Sequence, residues 1–195
     1  MEITKRLSTN VYSTDQIAHL EEFCNRCDSE DYQNNKSLAA MKLDWCLSIG
    51  GQFFLTYLDN AIISVSGCHP LPEIDQGTYR MVFRGATLNK YQNIFNIVSK
   101  THMNSIPFLY HMPKQIDWAK EQGYDNFVIT TNIDNTNIPS MNKSHSVLNS
   151  LSRQGLVECI VDKKTLFYSE QSVWKLNVEK INKIRTEFKT RHRID

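Results

Sequence analysis

The sequence predicts a single α/β domain built on a central mixed, mostly antiparallel sheet flanked by helices, and three observations carry that reading. Runs rich in aromatic and β-branched residues cluster at Gln52 to Leu58, Ala61 to Ser66 and Thr78 to Arg84, as strands require. Apolar residues recur at helical spacing at Ile17, Leu20, Cys24 and Cys27, and again at Leu109, Met112, Ile116 and Ala119. At 195 residues the chain is long enough for one sizeable core and short for two, so residues 1–195 are taken as one domain.

Taken in order, Ile3 to Leu7 suits a short strand. Ser13-Thr14-Asp15-Gln16 opens the first helix as a cap, and the apolar face then runs to Cys27. Asp28 to Lys36, polar and acidic, reads as a loop, and Ser37 to Cys46 as a second helix with Leu38, Met41, Leu43 and Trp45 available for burial. Asp59-Asn60 is a tight-turn signal that makes the next two strands an antiparallel hairpin. The prolines and glycine of His69 to Gly77 oppose regular structure before the third strand. Gly85 to Thr101 suits a short helix through Tyr91, Ile94, Phe95 and Val98, or a loop through its asparagines.

Ser105 to Gln122 reads as the major helix, stopped by Gly123. Pro113 inside it removes one backbone donor and is expected to kink it. Phe127 to Thr131 is the short, nearly continuous apolar run of a buried strand in mid-sheet. A helix over Ser144 to Gln154, strands near Leu156 to Val161 and Phe167 to Leu176, and a basic amphipathic helix over Val178 to Asp195 complete the order.

Composition narrows function mainly by exclusion. Hydrophobic residues make up 41% and charged residues 22%, an ordinary globular mixture, and the formal net charge of +1 supplies no general attraction to nucleic acid or membrane. The N-terminus lacks the apolar run of a signal peptide, and no stretch approaches the roughly 18 apolar residues of a membrane span. A cytoplasmic location is therefore expected, with no membrane partner. Five cysteines at irregular spacing read as reduced thiols. Cys24 and Cys27 have no second pair and continue the apolar face of the first helix, so no metal is expected.

Other chemistry is thinly supported. His111 and His145 lack an acid at fixed spacing, and the chain contains no G-x-S-x-G nucleophile turn. The positive charges of the last helix, Lys180, Lys183, Arg185, Lys189, Arg191 and Arg193, read as the solvated face of a docked helix rather than a nucleic-acid surface.

The element order, together with the run from Pro113 through Trp118-Ala119-Lys120-Glu121-Gln122-Gly123-Tyr124 to Asn132, resembles the GNAT superfamily of N-acetyltransferases. Gly51 to Ser66 is similar to the family's strand pair, and Ser146 to Gly155 leading into Leu156 to its last helix. The resemblance spans roughly residues 2 to 177. It implies a GNAT-like sheet, acetyl-CoA or another acyl-CoA as co-substrate, no metal, and transfer of an acetyl group to a small-molecule or protein amine by direct attack. Positioning and N–H groups on the third long strand, which polarise the carbonyl, would then do most of the work.

The family's Q/R-x-x-G-x-G/A segment, which holds the pyrophosphate at a helix N-terminus, falls on Met103 to Phe108. No glycine stands there. The cofactor-binding candidates are accordingly His102, Asn104, Ser105, Ile106 and Phe108, with a plain helix cap by Asn104 or Ser105 as the other reading. The tyrosine that protonates the departing thiolate in many members falls near Leu151, which has no proton to give.

The catalytic candidates implied by the resemblance are Glu73, Arg84 and Asn132. Glu73 is either a base acting through water or an ordinary loop carboxylate. Strand alternation puts Arg84 with Arg80 and Val82 on one face, opposite Tyr79, Met81 and Phe83, facing either the cleft or solvent as a salt-bridging surface. Asn132 ends the buried strand and either contacts the cofactor arm or caps a loop. Two alternatives stay open: a catalytically inactive GNAT-fold binding module, and a nucleic-acid-associated factor using the C-terminal helix.

Overall fold

A computed structural model describes residues 7–29, 37–92, 94–95, 104–133, 139–166 and 169–194. Strands β1 (Leu7–Val11), β2 (Gln52–Leu58), β3 (Ala61–Pro70), β4 (Thr78–Thr87), β5 (Asn126–Asn132), β6 (Val157–Leu166) and β7 (Ser169–Leu176) form one sheet in the order β1-β2-β3-β4-β5-β7-β6. Every neighbouring pair is antiparallel except β4 and β5.

Helices cover both faces, which is why the central strands read as nearly unbroken apolar runs. On one face lie α1 (Ile17–Ser29), α2 (Leu38–Met41) and α3 (Leu43–Ser48), where Leu20, Phe23, Met41 and Cys46 pack on Phe53, Leu55, Val65 and Phe83. On the other lie α4 (Met112–Glu121), α5 (Pro139–Arg153) and α6 (Val178–His192), where Met112, Ile116, Leu148 and Ile181 pack on Phe54, Tyr79, Phe127 and Trp174. Strand β2 shows the period of two directly: Phe53, Leu55 and Tyr57 join the first core, while Phe54 joins the second.

Several boundaries differ from the sequence reading for identifiable reasons. The first strand is Leu7–Val11 rather than Ile3 to Leu7, whose first four residues lie outside those described. It is an edge strand with only Thr9 buried, so it carries little apolar pattern. The helix expected over Ser37 to Cys46 is two, broken at Lys42, which takes a left-handed φ of 53°. Strand β3 runs on through Pro70, a strand end where proline's missing N–H costs nothing.

The central helix begins differently from expectation. Pro107–His111 forms a π-helical turn, closed by the Met112 N–H donating to the Pro107 carbonyl, before α4 continues through Pro113. The wider turn accommodates a proline that an unbroken α-helix would have to bend around. Gly123 and Gly155 end α4 and α5 with φ of 88° and 67°, a region glycine enters freely. The C-terminal helix docks through Ile181, Val178, Ile184 and Phe188 and stops at His192, followed by left-handed Arg193.

Candidate functional site

Strands β4 and β5 pair over only three residues each, Thr78 to Arg80 against Asn126 to Val128. Beyond that point they diverge. On the α4 and α5 face a cavity of about 440 Å³ follows, lined by Val82, Gly85, Ser105, Pro107, Phe108, Met112, Ile129, Thr130 and Thr131 near the divergence. Its deeper wall is aliphatic, with Leu148, Leu151, Leu156, Val157, Leu176 and Ile181.

At the divergence β4 is irregular. Val82 and Arg84 take φ of 55° and 50°, and the β3 register shifts on both sides of Gly67. A left-handed β-branched residue is strained and marks a bulge rather than a regular strand. This corrects the expected alternation. Tyr79 and Met81 are joined by Val82 in the core beneath α4, whereas Arg80, Phe83 and Arg84 share the opposite face. The irregular backbone at Val82 and Arg84 thus moves Val82 and Phe83 to the faces opposite those expected, while Arg84 stays with Arg80.

A chain of buried polar groups braces this bulge, and sequence spacing gave no sign of it. Gln115, fully buried, accepts the Val82 N–H at 3.0 Å and donates from Nε2 to Ser66 Oγ at 2.8 Å. Ser66 Oγ meets His111 Nδ1 at 2.7 Å, His111 Nε2 meets Thr56 Oγ1 at 2.7 Å, and Thr56 meets Thr9 Oγ1 at 2.8 Å. Burial pushes His111 down to about 3, so the imidazole is neutral at pH 7, one nitrogen donating and the other accepting. His111, at the end of the π-helical turn, and Gln115, on α4, lie four apart, a spacing that finds a shared helix face but not a network.

On the α1 to α3 face a second, smaller cavity of about 200 Å³ opens at the same divergence. It is lined by Arg80, Phe83 and Arg84 from β4, Lys42 and Trp45 from the α2/α3 junction, Thr130 and Asn132 from β5, and Ser169 and Gln171 from β7. Thr130 lines both cavities. Arg80 Cζ stands 5.1 Å and Arg84 Cζ 5.8 Å from the centre of the Phe83 ring, and Lys42 Nζ lies 6.0 Å from that of Trp45. Phe83 and Trp45 are themselves 5.6 Å apart, so two rings gather three cations. Desolvation and the neighbouring Arg84 bring Arg80 down to about 9; buried His69, 4.8 Å from Phe83, is lowered to about 3 by burial and by Arg80.

The sequence candidates therefore part company. Arg84 and Asn132 line the smaller cavity together. Ser105 and Phe108 line the larger one, Asn104 and buried Ile106 stand beside them at the helix start, and His102 lies outside the described residues. Leu151 lines the larger cavity as an apolar wall. Glu73 is exposed in the turn between β3 and β4, where its carbonyl accepts from Lys164 Nζ, and it lines neither cavity. That turn sits at the end where β4 and β5 are still paired. Cys24 and Cys27 are buried core residues, and among the described residues no three His, Cys, Asp or Glu gather as a metal site.

No protein-family model and no curated protein matches the sequence. Solved structures do match the fold. An acetyltransferase of the GNAT family from Staphylococcus aureus Mu50 aligns over 88% of this chain and 99% of its own at 17% identity and TM-score 0.54. The ribosomal-protein-S5-alanine acetyltransferase of Vibrio fischeri aligns over 88% and 93% at 14% identity and TM-score 0.52. A protein from Salmonella typhimurium assigned as an acetyltransferase, solved with its cofactor acetyl-CoA, aligns over 88% and 93% at 10% identity and TM-score 0.52. With its sheet order, its parallel β4/β5 pair opening into a cavity, and these neighbours, the chain has the fold of the GNAT acetyltransferases.

Proposed function

We propose that the protein is an acyl-CoA-dependent N-acyltransferase, with the acyl donor in the larger cavity and an amine acceptor reaching it across the divergence of β4 and β5. The observation that supports this best is the pair of cavities on opposite faces of the sheet that share Thr130 as a lining residue. A donor and an acceptor held on either side of one opening meet without either having to leave its site, which is the positional gain such a reaction needs.

The residues present fit an acyl-CoA in part. Phe108, Met112, Leu148 and Leu151 offer the apolar walls that an acyl group and a thioether arm require. Thr130, whose buried Oγ1 has no hydrogen-bond partner among the described residues, is a lining residue of both cavities. Bound there, acyl-CoA supplies an acyl group activated as a thioester, and the net reaction exchanges its C–S bond for C–N, the amine proton ending on the thiol. The chain's own contribution is to orient, to exclude water and to keep the amine uncharged. Arg80 and Arg84 do the last, because nearby positive charge disfavours an ammonium.

Two features set this site apart from the resemblance. The Val82 N–H is engaged by Gln115, so it is not an open donor for a carbonyl oxygen. Leu151 offers no proton, which leaves water or the acceptor itself to protonate the thiolate. Titration calorimetry with acetyl-CoA and longer acyl-CoAs tests the proposal. Binding at or below about 1 mM, weakened about tenfold by Leu151→Trp, is expected; no binding at that concentration overturns it.

A further inference from the structure

The larger cavity divides by chemistry. Its polar lining residues, Ser105, Thr130 and Thr131, stand near the divergence of β4 and β5, and Thr131 Oγ1 there accepts from Trp174 Nε1 at 3.1 Å. Away from the divergence the wall comes from four other elements, with Leu148 and Leu151 on α5, Val157 on β6, Leu176 on β7 and Ile181 on α6, and these side chains are all aliphatic. Among the described residues that line the cavity, none is ionisable. Such a wall offers water no hydrogen bond and a charge no partner, so neutral, apolar atoms fill it best.

We infer that the donor's acyl group is longer than acetyl, a neutral aliphatic chain of about six to eight carbons that runs from the divergence onto the α5, β6, β7 and α6 wall. The inference rests on the acyltransferase reading and names its donor. An acetyl group ends one carbon past its carbonyl and leaves that wall unfilled. A volume of about 440 Å³ holds about fifteen waters at ~30 Å³ each, and a methylene is close to a water in size. The sulfur, the thioester carbon and oxygen and the two arm carbons take about five of those places, so about ten remain, enough for a chain of that length and too many for a methyl. A succinyl or malonyl group carries a carboxylate onto the same wall and meets no partner there.

Calorimetry on the full chain tests this with free CoA and its acetyl, butyryl, hexanoyl, octanoyl and succinyl thioesters. Each methylene laid on the wall is expected to tighten binding up to about fourfold, so that hexanoyl-CoA binds at least about tenfold more tightly than acetyl-CoA. Succinyl-CoA, which ends the backbone of butyryl-CoA in a carboxylate, is expected to bind about tenfold more weakly than butyryl-CoA. Val157→Phe, which adds bulk to the aliphatic wall, is expected to bring hexanoyl- and octanoyl-CoA to within about threefold of butyryl-CoA. Affinity that is flat with chain length or best at acetyl, succinyl bound as well as butyryl, or a chain-length gain untouched by Val157→Phe overturns the inference. The wild-type series decides the matter even where Val157→Phe fails to fold. The same titrations separate the two readings: acetyl-CoA bound without gain from longer chains keeps the acyltransferase and removes the long chain, whereas no thioester bound at about 1 mM removes both.

Discussion

Gln115 Oε1 accepts the backbone N–H of Val82 at 3.0 Å, across the point where β4 leaves β5. The bond joins a fully buried amide to a valine held at φ 55°, a conformation a β-branched residue avoids at a cost of about 1–3 kcal/mol. Gln115 thus hydrogen-bonds the strained residue of the bulge itself.

Removing that brace has a measurable signature. Gln115→Leu is expected to cost about 1–3 kcal/mol of unfolding free energy, since the Val82 N–H and Ser66 Oγ both lose a buried partner. Val82→Gly relieves strain and loses a half-buried side chain, so the informative quantity is the coupling. A double-mutant cycle read by urea denaturation is expected to give about 1 kcal/mol or more between the two positions. Strict additivity would show that the bond does not hold the bulge.

A second expectation concerns acid. His111 and His69 are both held near 3 by burial, against 6.5 for an unperturbed imidazole. Unfolding lets each take up a proton, so their contribution to stability is complete above pH 6.5 and is lost as pH falls from 6.5 toward 3. The slope is at most about 1.4 kcal/mol per pH unit for each histidine. His111→Gln is expected to flatten the dependence of the urea midpoint on pH between 4 and 6.5 by roughly half that combined slope. An unchanged slope would mean that His111 is charged in the folded protein.

The third concerns the cavity wall at Leu151. A hydroxyl placed there by Leu151→Tyr is expected to raise turnover with acetyl-CoA about tenfold, while Leu151→Phe leaves it unchanged or lower. Steady-state rates at saturating acetyl-CoA read the difference. Equal rates for the two variants would place the thiolate's proton elsewhere.

These relationships divide by how far each could be read in the chain. Apolar periodicity found the sheet and most helices, because Phe53 to Tyr57 and, at helical spacing, Leu109, Met112, Ile116 and Ala119 are buried and burial is what periodicity reports. It failed at β1, whose exposed Ser8 and Asn10 carry no pattern, and at Lys42, where a left-handed residue other than glycine breaks a helix without announcing it. It failed most at β4. Counting alternate residues from Tyr79 is sound only until a bulge intervenes, and nothing in Val82-Phe83-Arg84 declares one.

The site was legible to the same degree and for the same reason. Ser105, Phe108, Arg84 and Asn132 were reachable from their places in the order of elements, and the structure sets them in two cavities. Lys42 and Trp45 lie far in the chain from Gln171 and from the β4 arginines, and only the folded sheet makes them neighbours. Thr56, Ser66, His111 and Gln115 are ordinary polar residues one by one, and their meaning lies in mutual distances of 2.7 to 2.8 Å.

The wide turn at Pro107–His111 works as a phase shifter. Each residue of an α-helix advances the side chains by about 100°, so one extra residue in a turn redirects everything on one side of it relative to the other. A single helical segment serves two clients: Ser105, Pro107, Phe108 and Met112 line the larger cavity, while His111 and Gln115 turn toward β2, β3 and the bulge.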